Sequence, residues 1–400
     1  MKKGAKRILG LERNVFYLGL VSFFNDISSE MTLTLLPLFL YDVLGVPTSI
    51  IGLIEGTAEA TASLLKIASG WLSDRIRARK KLAVAGYSLS AFSKPFLAVA
   101  GSWPAVLIIR WLDRVGKGIR TSPRDALLAD SAPYEERGKA FGWHRAADTG
   151  GAVLGLAGAA AVIALTQRGA LALSLRTYRD IVLIGMIPGF IAVLIIAAMV
   201  EEKRPKAKGE PVPTRQAVRF PSTFYLFLGI IVLFTLGNSS DAFLILRARN
   251  LGLSTLGISL VLVGFNVFYT ILSMPAGALS DSWGRKRVIL LGWSIYTLTY
   301  LGFAKARSVA VLIGFYFLYG VYYGTTEGTA RALVADIVPQ EGRATAYGLY
   351  HAAVGLSAFP ASFVAGVLWD KISPAATFYF GALMAGLAAT AFLLLPLRRT

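Results

Sequence analysis

Apolar residues in this chain do not alternate in the short rhythm of a half-buried strand. They run in stretches of about 20 residues, the length a helix needs to cross a hydrocarbon core of roughly 30 Å. Charge clusters and turn residues separate twelve such stretches, centred near Ser28, Thr61, Phe92, Lys117, Gly151, Pro188, Leu236, Asn266, Ile295, Tyr322, Leu356 and Leu387. The pattern predicts an all-α membrane protein with 12 transmembrane helices. The first stretch, from about Asn14, is too long for a secretory signal and has no small-residue cleavage site before the next, so it is expected to remain as a span.

Composition supports this reading. Only 16% of the 400 residues are charged and 55% are hydrophobic, against about 25% charged in an ordinary soluble domain. The 41 Lys and Arg outnumber the 23 Asp and Glu, for a net charge of +18, which would suit nucleic acid unless topology accounts for it. It does. One alternate set of connections holds Lys2, Lys3, Lys6, Arg7 and Arg13, then Arg75, Arg77, Arg79, Lys80 and Lys81, then Arg137 and Lys139, then a long basic run from Lys203 to Arg219, then Arg285, Lys286, Arg287, Arg343, Arg398 and Arg399. The other set holds only Arg168, Arg176, Arg179, Lys305, Arg307 and Lys371. Cationic loops stay inside, so both termini are expected in the cytoplasm and the protein in the cytoplasmic (inner) membrane. With no cysteine and only His144 and His351, no metal site and no cofactor are expected.

The longest polar stretch, residues 201–221, divides the chain into 1–200 and 222–400 and is expected to be a cytoplasmic linker. The halves are related. Gly70 to Asp74 (GWLSD) matches Gly277 to Asp281 (GALSD), and Asp130, Pro133, Glu135, Arg137, Ala140 and Gly142 recur at nearly the same offset as Asp336, Pro339, Glu341, Arg343, Ala346 and Gly348. Two pseudo-symmetric six-helix bundles in parallel are implied.

These motifs resemble the major facilitator superfamily, in its prokaryotic 12-helix form, over about Asn14 to Pro396. The signature between the second and third spans of that family is nearly intact as Gly277, Leu279, Ser280, Asp281, Gly284, Arg285, Lys286 and Arg287. The first half keeps Gly70, Leu72, Ser73, Asp74 and Arg75, but Arg77 stands where Gly is usual. The resemblance implies gating roles for Gly70, Asp74, Arg75, Gly277, Asp281 and Arg285. The stretch Arg110 to Asp130 resembles the family's fourth-helix motif, with Arg114 at a Gly position. Gly151 and Gly155 resemble its antiporter signature, but Leu156 stands where that signature has Pro. The fold so implied lines a central cavity with the first, fourth, seventh and tenth helices, where Asp26, Lys117, Asn238 and Tyr323 would meet.

Charges at bilayer depth cost several kcal/mol unless they pair or face a wet cavity, about 2.5–3.5 kcal/mol even on insertion scales. Arg110, Arg114, Lys117, Thr121 and Arg124 fall on one face of the fourth helix, while Asp26 with Glu30 and Glu55 with Glu59 form i, i+4 pairs on the first and second. The cationic stripe suits an anionic or zwitterionic solute, or a structural network that neutralises nearby acids; the sequence leaves both open. Asp26, Glu30, Arg110, Arg114, Lys117, Asn238, Asp241, Tyr323 and Glu327 are the expected substrate-binding residues. Asp26, Glu30, Glu55 and Glu59 are the expected proton carriers, since neighbouring carboxylates cannot both ionise cheaply.

The expected function is secondary active transport by alternating access, coupled to protons as symport or antiport, of a small organic solute. The alternative is efflux of amphiphilic drugs or lipids on the same fold, and a remote one is a non-transporting sensor. No G-x-S-x-G, H-E-x-x-H or thiol is present, so no enzyme is expected. The expected partners are a small-molecule substrate, protons and the lipid bilayer, with no nucleic acid, and the protein is expected to be a monomer.

Overall fold

In a computed structural model of the chain, residues 7–76, 78–133, 136–167, 170–202, 220–339 and 343–396 are described. They form twelve long helical stretches, preceded by a two-stranded antiparallel turn, β1 (Arg7–Ile8) and β2 (Leu11–Glu12). The helices are α1 (Arg13–Leu33, extended by Leu36–Leu38 and Phe39–Val43), α2 (Thr48–Ile76), α3 (Arg79–Ser93, extended by Lys94–Ala98), α4 (Trp103–Ser131), α5 (Arg137–Thr166) and α6 (Leu175–Met199). The second half repeats the scheme with α7 (Ser222–Gly237 and Ala242–Asn250), α8 (Thr255–Trp283), α9 (Arg285–Lys305), α10 (Val309–Ile337), α11 (Arg343–Lys371) and α12 (Pro374–Leu394). Eight of them, α5 to α12, are long and apolar enough by composition to cross a membrane. The other four carry Asp26, Glu30, Glu55, Glu59, Lys66, Lys94, Arg110, Asp113, Arg114 and Lys117. Apolar side chains such as Leu154, Leu194, Ile271, Leu298 and Leu383 stand exposed on the helix surfaces, as a lipid solvent requires.

The chain folds into two compact units, Met1–Val46 with Thr61–Ala207, and Pro47–Ala60 with Lys208–Thr400. Within the first, α1 packs on α5 and α6, and α3 on α4; within the second, α7 packs on α11 and α12, and α9 on α10. The same neighbours recur, as two copies of one six-helix pattern demand. Helix α2 belongs to both units: its beginning, to Ala60, packs with the second and the remainder with the first.

Small residues let the backbones meet. A Cβ on Gly116 would lie 2.5 Å from the carbonyl oxygen of Gly86, and one on Gly86 equally close to that of Gly116, so α3 and α4 cross with nothing between them. Gly151 and Gly155 of α5 stand likewise against the carbonyls of Phe23 and Ile27 in α1, which gives both a packing role.

Repetition extends to single contacts. Arg79 at the start of α3 pairs with Asp130 near the end of α4, and Arg285 at the start of α9 pairs with Asp336 near the end of α10. Next to each, a lysine donates to the free carbonyls at a helix C-terminus: Lys80 Nζ to Ala197 O at 2.8 Å and Lys286 Nζ to Leu393 O at 2.9 Å, a favourable match of cation and helix dipole. Ser174, Ser254, Ser308 and Ser373 cap α6, α8, α10 and α12 with their own hydroxyls. Helix α2 takes its acceptor from far away in sequence. Asp370 of α11 accepts from Thr48 N at 3.1 Å, Thr48 Oγ1 at 2.6 Å and Ser49 N at 2.8 Å.

Candidate functional site

Each unit carries its own polar cluster. In the first, Lys94 comes at the point where α3 tightens before Pro95, and it is 1% exposed. Its ammonium donates to Ser28 Oγ at 2.9 Å and Ser29 Oγ at 3.1 Å, both on α1. Arg110 and Asp113 of α4 are also buried, at 4% and 3% exposure, and their charged ends lie 3.6 Å apart. Ser90 of α3 donates to the same Asp113. Charges that act on Asp113 come from Lys94, Arg114 and Arg110, and Lys94 feels Arg120 and Asp26 as well. Arg120, buried, stacks its guanidinium over the Tyr87 ring at 4.4 Å.

Asp26 of α1 accepts from Asn25 Nδ2 at 2.8 Å. Asp148 of α5 accepts from Ser22 Oγ at 2.7 Å, one turn before Asp26 on α1, which makes Asp148 an acidic neighbour of Asp26. Glu30, one turn further, accepts from Thr34 Oγ1 at 2.6 Å. Lys117 and Arg114 are half-buried on α4.

In the second unit α7 breaks. The residues Gly237, Asn238, Ser239, Ser240 and Asp241 all favour turns and caps over helix interior, and Asn238 to Ser240 leave the helical path before Ala242 resumes it. Backbone groups freed at such a break need partners. Tyr296 OH donates to Gly237 O at 3.0 Å, and Ser240 N to Ser362 Oγ at 3.1 Å. Asn238 joins the tyrosines, donating to Tyr322 OH at 3.3 Å and accepting from Tyr296 OH at 3.3 Å. Asp241, exposed, accepts from Tyr319 OH at 2.8 Å and Tyr323 OH at 3.3 Å.

Asp26, Glu30, Arg110, Arg114 and Lys117 thus lie in the first unit, and Asn238, Asp241 and Tyr323 in the second. Glu55, buried, and Glu59, half-buried, sit on the part of α2 that packs with the second unit. Glu327 lies on α10, and Asp74 and Asp281 near the ends of α2 and α8, with side chains outside the described residues; Gly277 lies within α8. Gly70 stands 3.3 Å, as a Cβ, from the Ser122 side chain. Arg75 stacks on Trp71 at 5.3 Å. Arg79 is the residue that makes the contact in the first unit that Arg285 makes in the second. Sequence reasoning counted Asp113 and Asp148 among the acids inside the membrane and Tyr319 among the aromatics that could line a cavity, but placed none of them, nor Tyr296, in the site. Asp113 was visible as the one acid at i+3 from Arg110; nothing in the sequence ties Asp148 to Asp26 across two helices.

The sequence profile of the Major Facilitator Superfamily matches residues 18–246 and 226–400. An MFS-type transporter of Methanocaldococcus jannaschii is 39% identical, over 94% of this chain and 93% of its own. The multi-drug resistance efflux pump PmrA of Streptococcus pneumoniae is 25% identical over 80% of each chain. Among solved structures, a POT family transporter in complex with 5-aminolevulinic acid shares the fold with a TM-score of 0.80 at 13% identity, over 98% of this chain and 96% of that one.

Proposed function

Given that the chain belongs to the major facilitator superfamily and is a membrane transporter rather than an enzyme, we propose that it is a secondary active transporter. It works by alternating access and carries a small organic solute with an anionic group, coupled to protons. The observation that carries the solute class is the cluster on α3 and α4, where the charges of Lys94, Arg110 and Arg114 all act on the buried carboxylate of Asp113 and Arg120 lies within reach of Lys94. A group of cations gathered in a poorly hydrated place favours an anion that brings its own charge and acceptors. Proton coupling rests on Asp26 and Asp148. Two neighbouring carboxylates in a poorly hydrated place do not both ionise cheaply, so a proton taken up by the pair is a unit of cargo that an adjacent ion can release. Lys94, whose charge acts on Asp26, connects the two functions.

The test is flux into proteoliposomes of purified protein, with an internal pH dye and a panel of carboxylates and zwitterions. Solute-dependent proton movement is expected from the wild type and is expected to be lost in Lys94→Ala and Asp26→Asn. Full flux by Lys94→Ala sinks the anion reading; full proton movement by both Asp26→Asn and Asp148→Asn sinks the coupling. A second reading, efflux of amphiphilic compounds, is favoured by the similarity to PmrA. It predicts proton-driven movement of lipophilic dyes that Lys94→Ala leaves intact.

A further inference from the structure

The second unit carries a feature that an anion does not explain. Phe265 and Tyr269 of α8 lie nearly parallel, 15° apart, and Tyr323 of α10 stands across both, at 82° to Phe265 and 71° to Tyr269, with centroids 5.8 Å away in each case. Those three rings are half-buried, whereas Tyr319, Tyr322 and Tyr296 behind them are buried. The result is a corner of aromatic faces with a buried aromatic backing. At its edge stands Asp241, exposed, its two carboxylate oxygens fixed by the hydroxyls of Tyr319 and Tyr323. Asp241 directly precedes the second segment of α7, yet its side chain makes no cap bond to that segment; both oxygens are turned to the tyrosines.

We propose that this corner, made by Asp241, Tyr323, Tyr269 and Phe265, is a seat for an organic ammonium group, so that the transported solute is zwitterionic or carries a cationic end. This rests on the transporter reading above and sharpens its substrate class. A ring face attracts a cation through its quadrupole, and the attraction grows when the cation is bulky and weakly hydrated. A carboxylate that accepts two phenolic hydrogens is held in one place. It supplies the net charge that the rings lack. Alkyl groups on nitrogen fill the corner, which a small hydrated ion such as sodium does not do.

The probe is choline, compared with its uncharged isostere 3,3-dimethylbutan-1-ol and with sodium chloride, using the full-length protein in nanodiscs and reading tyrosine fluorescence and thermal shift. Choline is expected to bind; the isostere and sodium at equal concentration are not. Asp241→Asn, which keeps the hydrogen-bond acceptor and removes the charge, is expected to weaken choline at least 10-fold. Tyr323→Phe, which keeps the ring, is expected to stay within about 3-fold, and Tyr269→Leu to lose about 5-fold or more. Unliganded melting of each variant shows that it folds. Equal binding of choline and its isostere, equal protection by sodium, or choline binding unchanged in Asp241→Asn each overturns the proposal. Choline binding without solute-driven proton flux would leave the seat and remove the transport reading given above. Flux without choline binding would remove the seat alone.

Discussion

The sharpest test of the fold is the carboxylate that caps α2 from the far end of the sequence. Asp370→Ala removes the acceptor for Thr48 N, Thr48 Oγ1 and Ser49 N, bonds of 3.1, 2.6 and 2.8 Å. An N-cap acceptor contributes about 0.5–2 kcal/mol, and a negative charge at a helix start adds roughly 0.3–1 kcal/mol. Asp370 is exposed, which holds the sum to the middle of that range, about 1.5–2.5 kcal/mol. For a unit of this size each kcal/mol moves the melting temperature by about 2–4 °C, so a fall of roughly 3–10 °C is expected. Asp370→Asn keeps one oxygen and loses the charge, and its fall is expected to be about half as large. The assay is intrinsic-fluorescence melting in detergent, joined to hydrogen exchange at the Thr48 and Ser49 amides, where protection is expected to drop at least 10-fold. Ser373→Ala, which removes the local cap on α12 at Ala376 N, sets the scale for a single cap at about 1 kcal/mol. Unchanged melting together with unchanged Ser49 protection in Asp370→Ala would refute the reasoning.

Other expectations follow from the same geometry. Gly116→Val puts a side chain 2.5 Å from the Gly86 carbonyl and 2.9 Å from Ser90 N, so it is expected to yield no monodisperse protein on size exclusion, whereas Gly142→Ala, with nothing within 4 Å, elutes as wild type. The Arg79–Asp130 pair has side chains 13% and 22% exposed against 27% and 34% for Arg285–Asp336. A double-mutant cycle on melting is therefore expected to give the first the larger coupling, above about 1 kcal/mol, and the second less than about 1 kcal/mol; equal couplings would contradict this. Tyr178→Phe gives up a buried hydroxyl bond to Thr32 O at 3.2 Å but keeps the stack on Phe39 at 4.2 Å. A cost of about 1 kcal/mol is expected, against about 3–5 kcal/mol for Tyr178→Ala.

Much of this architecture was legible in the residue order. Helix length, the repeated GWLSD and GALSD motifs and the family resemblance are local or periodic features, and a backbone that must satisfy its own hydrogen bonds in lipid has few ways to respond to them. The break in α7 was half legible: Asn238 and Asp241 stood out as polar residues in an apolar span, but only the fold brings Tyr296, Tyr319 and Tyr323 onto them. The contacts that give the clusters their chemistry run between helices. Spacing singled out Asp26 with Glu30, while the acid that α5 brings beside Asp26 is Asp148, held by Ser22 one turn away on α1. The stripe of Arg110, Arg114 and Lys117 could be read from periodicity, yet Lys94, on another helix, is the cation most deeply enclosed beside it. Asp370 on Thr48 lies beyond any local rule. Periodicity specifies which face of a helix is polar; it does not specify which other helix that face meets, because that is settled by where glycines such as Gly86, Gly116 and Gly366 allow two backbones to touch.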